Sequence, residues 1–273
     1  MRLAFVVSSG LGYQIPNLYQ TQKSFNEFKH ALECLKENGF DGVELNLHFS
    51  DKRKLSKVKE AIHQSELELA AVGTGLLYGH EKLSLTNPDQ NKRTRTLSIV
   101  KQLLEFGSSE NAPLIIGSVR GQVKTKNAST HLRDCLVECN SAAKRYDTRI
   151  ALEAINRYET SFLNTVSEVS AFIDTNKLDS TGILMDTFHM NIEEQSAEET
   201  INTNMSRLVH FHIADSNRWP PGYGHLNIEG CLKILKDLSY DGWVSAETLP
   251  KPTSIEAVQT TAKFLKRHGF MST

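Results

Sequence analysis

The chain has 273 residues, 39% of them hydrophobic and 23% charged, and a formal net charge of -1. That length buries a large core as one barrel or two ordinary domains. The lack of a basic surplus argues against a partner with a phosphate backbone, so no nucleic acid is expected. Four cysteines without CxxC spacing, a start (MRLAFVVSSG) too short in apolar residues for a signal peptide, and no run near the ~20 apolar residues of a membrane span make a reduced, cytoplasmic enzyme with no membrane attachment the expectation.

Taken in order, the apolar runs and their punctuation alternate between strand and helix. LAFVVS near residue 3 reads as a buried strand, and Phe25, Phe28, Ala31, Leu32 and Leu35 mark a helix closed by Asn38-Gly39. GVELNL at 42 is the second strand and carries Glu44, a carboxylate open to either a substrate-facing or an ion-paired role. LAAVGTG at 69 is the third. Asn87-Pro88 predicts a cap and first-turn proline before the helix of Leu97, Val100, Leu103 and Leu104. PLIIGS at 113, RIALEAI at 149, GILMDT at 182, LVHFHIA at 208 and GWVSAET at 242 complete eight strands. Val169, Phe172 and Ile173 mark one intervening helix, and Ala257, Thr261, Phe264 and Leu265 mark the last. Eight strand-then-helix units without a linker predict a single (β/α)8 TIM barrel spanning 1–273. A doubly wound open sheet is the alternative, but no glycine-rich phosphate fingerprint follows the first strand.

On such a barrel the carboxyl ends of the strands converge on the active site. Four successive strands end near Glu153, Asp186, His212 and Glu247. Any one alone reads as an ordinary loop carboxylate or a hydrogen-bonded histidine. Together they describe a divalent-metal site, and mostly oxygen donors with one imidazole suit Mn²⁺, Mg²⁺ or Co²⁺. Such a cation can stabilise the enediolate of a hydroxy-ketone. Glu153 and Glu247, three strands apart, could then take a proton from one face of a carbon and return one to the other. His210 and His212 share a face, and the residues alone do not choose between them. Arg120, at the end of the fourth strand with Lys124 and Lys126 nearby, is a candidate reader of a substrate carboxylate or phosphate. Gly222-Tyr223-Gly224-His225 lies where a substrate or a neighbouring subunit could reach it.

The segments LEAINRYET at 152, MDTFHMNIEE at 185, HFHIADSNRWPPGYGH at 210 and VSAET at 244 make the chain resemble the xylose isomerase-like TIM-barrel superfamily. Within these sugar isomerases and epimerases it is most similar to the D-tagatose 3-epimerase (D-psicose 3-epimerase) group. The resemblance implies that Glu153 and Glu247 are both metal ligands and the acid/base pair. It implies that Asp186 and His212 complete the shell of one Mn²⁺ per subunit, and it selects His212 over His210. Glu159, His189 and Arg218 would hold substrate hydroxyls and the carbonyl region. A small-molecule sugar or sugar-acid substrate and a homo-oligomer follow by the same analogy.

Three other readings compete. An aldose-ketose isomerase of the hydroxypyruvate isomerase type would use the same enediolate. An AP-endonuclease-like enzyme would need further histidines at the ends of strands three and four, where this chain has Gly73-Thr74-Gly75 and Gly117-Ser118. A non-catalytic sugar-binding protein would have no use for the pair Glu153 and Glu247.

Overall fold

The alternation of buried strands and amphipathic helices closes into a barrel in the computed structural model, which describes residues 1–272. Eight parallel strands follow one another in chain order: β1 (Arg2–Ser8), β2 (Gly42–Asn46), β3 (Glu68–Gly73), β4 (Leu114–Ile116), β5 (Ile150–Glu153), β6 (Thr181–Asp186), β7 (Leu208–Ile213) and β8 (Trp243–Ala246). β8 pairs back onto β1, with Arg2 opposite Trp243 and Phe5 opposite Ala246, which seals the sheet. A two-residue strand, Tyr13–Gln14, lies beside β1. All eight expected strands are present, and each is buried on both faces, which explains their continuous apolar runs.

The helices follow the expected crossovers with two additions. A short helix, Gly75–Glu81, precedes Gln90–Ser108 after β3. After β6, Thr187–Glu193 is followed by Ala197–Asn204. Asn38-Gly39 does end the first helix, with Gly39 at φ 92° donating back to Leu35 and Lys36. The expected cap at Asn87 is corrected. Asp89 caps Gln90–Ser108 by accepting from Asn91 and Lys92, while Asn87 accepts from the Asp89 N–H one turn earlier. Both residues are Asx-type turn formers, and only the one whose carboxylate reaches the free amides of the helix is the cap.

Most of the core lies between the strands and the surrounding helices. Inside the barrel, side chains alternate with a period of two, so Ala151 and Glu153, Leu184 and Asp186, and His210 and His212 each share the inward face. Ala4, Ala70 and Trp243 fill the amino-terminal end, where the Arg2 guanidinium lies 4.1 Å from the Trp243 ring. Ala71, Ile115, Ala151 and Leu184 pack as a separate apolar tier above them. The next inward position on β5, β6 and β7 is polar, and there the barrel opens. No helix among the described residues is long and apolar enough to cross a membrane.

Candidate active site

The four strand-end residues meet. One ligand atom from each of Glu153, Asp186, His212 and Glu247 lies within 4.8 Å of every other. Asp186 ends β6 and also caps the helix Thr187–Glu193: Oδ1 accepts from the Phe188 N–H at 2.8 Å, which leaves Oδ2 facing inward. His212 Nδ1 lies 3.9 Å from Asp186 Oδ2 and 3.6 Å from Glu247 Oε2. These gaps are too long for hydrogen bonds, yet close enough for one cation to touch both groups. Asp186 Oδ2 and His212 Nδ1 are buried with no hydrogen-bond partner, which a buried polar atom rarely tolerates. The donor set therefore fits a divalent metal, and oxygen predominates over nitrogen in it.

The electrostatics of the cluster agree. Burial pushes the Glu247 carboxyl up to about 7, although His212 and Arg218 stand beside it. Burial disfavours charge on Glu153 as well, but the hydrogen-bonding and charge of His189 hold that carboxyl below the usual range. His212, disfavoured as a cation by burial, is nevertheless raised to about 10 by Glu44, Glu247 and Asp186. Crowded carboxylates thus recruit protons onto their neighbours, and a divalent cation bound there would displace those protons.

Around this centre the structure places the other expected residues. His189, one turn along the helix that Asp186 caps, sets Nε2 3.5 Å from Glu153 Oε1. Its Nδ1 lies 2.7 Å from Asn156 Nδ2, and the same amide nitrogen donates to Glu159 Oε1 at 3.1 Å. Arg218, at φ 58° in the loop after β7, turns its side chain back into the barrel. Its guanidinium donates to Glu247 Oε2 at 2.5 Å, approaches Glu159 Oε1 at 3.4 Å and sits 4.7 Å from the Phe188 ring. The Leu249 N–H donates to the Arg218 carbonyl at 2.6 Å, which fixes this unusual turn. Glu159, His189 and Arg218 all line a cavity of about 170 Å³ over the four-residue cluster.

Two expectations change. Arg120 does not stand at the rim: it is fully buried, and its Nη1 donates to the Glu153 backbone carbonyl at 2.6 Å. The turn Ser118–Arg120 folds the side chain under β5 with its guanidinium 5.8 Å from the Phe162 ring, and burial lowers its pKa to about 10. Lys124 and Lys126 are exposed and do not line the cavity. Gly222-Tyr223-Gly224-His225 is exposed and is braced by its own loop. The Gly222 and Leu226 amides donate to the Asp215 carboxylate, and His225 Nδ1 lies 2.9 Å from Ser216 Oγ.

Glu44 is the residue that sequence reasoning left undecided, and it is buried. Its Oε2 lies 2.8 Å from His210 Nε2 and 3.0 Å from His212 Nε2. Burial raises the Glu44 carboxyl, but His212 and His210 overcome that and hold it well below the usual range. The ends of strands three and four contribute no histidine. Gly73, Thr74, Gly75, Gly117 and Ser118 line the cavity instead, and a Cβ on Gly117 would collide with Glu153 Oε2. A larger groove of about 440 Å³ between Gln22–Asn38 and Lys52–Gln64 carries none of these groups.

The family model for the xylose isomerase-like TIM barrel matches residues 32–268. The chain is 28% identical over 249 residues to a D-psicose 3-epimerase of Enterocloster bolteae, covering 86% of this chain and 81% of that one. It is 28% identical over 241 residues to a 3-dehydro-D-guloside 4-epimerase of Escherichia coli, covering 84% and 90%. Its fold is similar to the crystal structure of a 3-keto-D-glucoside 4-epimerase from E. coli. The TM-score is 0.79 and the identity 22%, covering 98% of this chain and 99% of that one.

Proposed function

This chain belongs to the xylose isomerase-like TIM-barrel family, and from that premise we propose that it is a divalent-metal-dependent sugar epimerase that inverts the carbon beside a ketone, as a ketose 3-epimerase does. The observation that carries the proposal is the convergence of Glu153, Asp186, His212 and Glu247 within 4.8 Å, with two of their atoms buried and unpartnered. The relatives' named activities, epimerisation at carbon 3 of psicose and at carbon 4 of a 3-dehydro sugar, share one requirement. Each removes a proton from a carbon next to a carbonyl.

Held by Glu153, Asp186, His212 and Glu247, a divalent cation would supply Lewis-acid polarisation of the ketone and neutralise negative charge developing on its oxygen; Mn²⁺ is proposed, with Mg²⁺ or Co²⁺ as alternatives. The chain's residues perform the proton transfers. Glu153 at the end of β5 and Glu247 just past β8 reach the site from strands three steps apart, so they can flank the substrate. One carboxylate removes the proton from the carbon, leaving an enediolate, and the other delivers its own proton to the opposite face. The two glutamates end with their protonation states exchanged and are reset by exchange with solvent. His189 and Arg218, buried beside them, would hold the substrate's oxygens, and Glu159 at the half-open edge would accept from a hydroxyl.

The placement of Arg120 bears on the substrate class. Among the residues lining the cavity, Arg218 is the only lysine or arginine, and its charge is already met by Glu247. A neutral ketose therefore suits the site better than a keto-acid or a phosphorylated sugar.

The test is deuterium exchange from solvent across a panel of ketoses and keto-acids with Mn²⁺ present. Incorporation at the carbon beside the ketone, with inverted product, is expected for the wild type and absent in Glu153→Gln and Glu247→Gln. A variant with near-normal exchange would remove that glutamate from the mechanism, and aldose as the labelled product would make the enzyme an aldose-ketose isomerase.

A further inference from the structure

Beneath the four-residue cluster lies a second buried group, Glu44, His210 and His212, whose ligand atoms also fall within 4.8 Å of one another. We propose that Glu44 is the positioning residue of the metal site: reaching across the barrel from β2 to β7, it fixes the His212 ring so that Nδ1, and not Nε2, faces the cation.

A carboxylate oxygen only accepts. With Oε2 2.8 Å from His210 Nε2 and 3.0 Å from His212 Nε2, both rings must donate from Nε2. A neutral His212 so bound carries its lone pair on Nδ1, and that atom is the one left buried without a partner opposite Asp186 and Glu247. The sequence alone offers no reason for Nδ1, since either imidazole nitrogen can ligate a metal. Glu44 supplies the reason, because an outer carboxylate sets the tautomer and ring angle of a ligating histidine and makes it more basic.

His210 has a separate part. It does not point at the cluster; it shares the Glu44 oxygen and lies 3.0 Å from Ser245 Oγ on β8. Glu44 is thereby tethered through β7 to β8, and His212 is held from below at 1% exposure. All three side chains are closed off from solvent, so water cannot stand in for a missing partner.

The inference rests on the metal-site reading above, and the experiment separates the two. Mn²⁺ binding is measured by titration calorimetry on wild type, Glu44→Gln and Glu44→Ala. The His212 tautomer is read from long-range ¹H–¹⁵N spectra of the proteins loaded with diamagnetic Mg²⁺, because without a cation the ring is protonated on both nitrogens. Removing an outer-shell partner weakens metal binding by about 10- to 100-fold. Glu44→Gln keeps one carbonyl acceptor and is expected near the lower end, and Glu44→Ala near the upper. The wild-type spectrum should show the proton on Nε2 of His212, and Glu44→Ala a mixture of the two tautomers. Should Glu44→Ala fail to fold, the near-isosteric Glu44→Gln decides alone. Binding within twofold of wild type in folded Glu44→Gln would overturn the positioning role and leave the metal site standing. Two Mn²⁺ per wild-type chain would overturn it too, by making Glu44, His210 and His212 a site in their own right. No Mn²⁺ uptake by the wild type would refute both readings.

Discussion

Replacing Arg120 with methionine should disable the enzyme while leaving its fold nearly as stable as before. The guanidinium is fully buried and makes one hydrogen bond, to the Glu153 carbonyl, while Nε and Nη2 have no partner. Burial lowers its pKa from 12.5 to about 10, with nearby Glu153 and Glu168 only partly compensating. That displacement corresponds to about 3 kcal/mol against the charged form. The single charge-assisted hydrogen bond returns about 1.5–3 kcal/mol. The two nearly cancel, so Arg120→Met, similar in reach and apolar, should fall within about 2 kcal/mol of wild type, a melting shift of at most roughly 8 °C for a chain of this size. Activity should not cancel. The carbonyl that Arg120 holds belongs to Glu153, whose carboxylate is proposed to move the proton, and misplacing such a group by about 1 Å costs on the order of 100-fold in rate. The assay is kcat and KM on a neutral ketose and on the matching keto-acid, beside a thermal melt. Equal loss of kcat on both substrates is expected. A loss confined to the keto-acid, seen as raised KM, would refute the buried-positioning argument and make Arg120 a substrate-reading residue. A collapse of the melt by more than about 15 °C would refute the energy balance.

Saturating the metal-free protein with Mn²⁺ at about 100 times its Kd should add about 2.7 kcal/mol, raising the melting temperature by roughly 5–10 °C. Asp186→Asn should abolish that shift while keeping the helix cap, because an asparagine oxygen also accepts from the Phe188 N–H; an undiminished shift would remove Asp186 from the metal shell. Gly117→Ala places a methyl group against Glu153 Oε2 and should lower kcat more than about 10-fold with little change in the melt. Wild-type turnover in that variant would show that Glu153 can move aside and still work.

The barrel was legible because parallel strands buried on both faces leave continuous apolar runs, as in LAFVVS and TGILMD, and because glycine marks a helix end such as Gly39. The convergence of Glu153, Asp186, His212 and Glu247 was legible for the same reason: strand ends on a closed barrel share one rim. The helix Gly75–Glu81 escaped because its seven residues hold two glycines and bury only Leu77, too little for a periodic signal. Arg120 was misplaced because an arginine after a strand is exposed by default. Only the turn Ser118–Arg120 and the Phe162 ring carry it inward, and neither constraint is local in sequence. Glu44 could be placed on the inward face of β2, yet its partners lie 166 and 168 residues away across the lumen. Such a pairing depends on register between strands that are not neighbours, and no local pattern encodes it.

Burying ionisable groups is unfavourable, and in the tier beneath the rim the barrel confines it to one sector. On β3, β4, β5 and β6 the tier beneath the rim is Ala71, Ile115, Ala151 and Leu184, an apolar filling that needs no partners. On β2, β7 and β8 the inward positions are Glu44, His210 and Ser245, all essentially inaccessible to solvent. An all-apolar tier would fold as well or better, since replacing a buried ionic group by hydrophobic packing is often neutral or stabilising. The polar tier lies only below His212, the one nitrogen donor in the cluster and the one donor whose ring can face the site with either of two atoms. Carboxylates need no such guidance, because either oxygen serves. The polar sector is thus where a metal site requires orientation, and the apolar sector is where it does not.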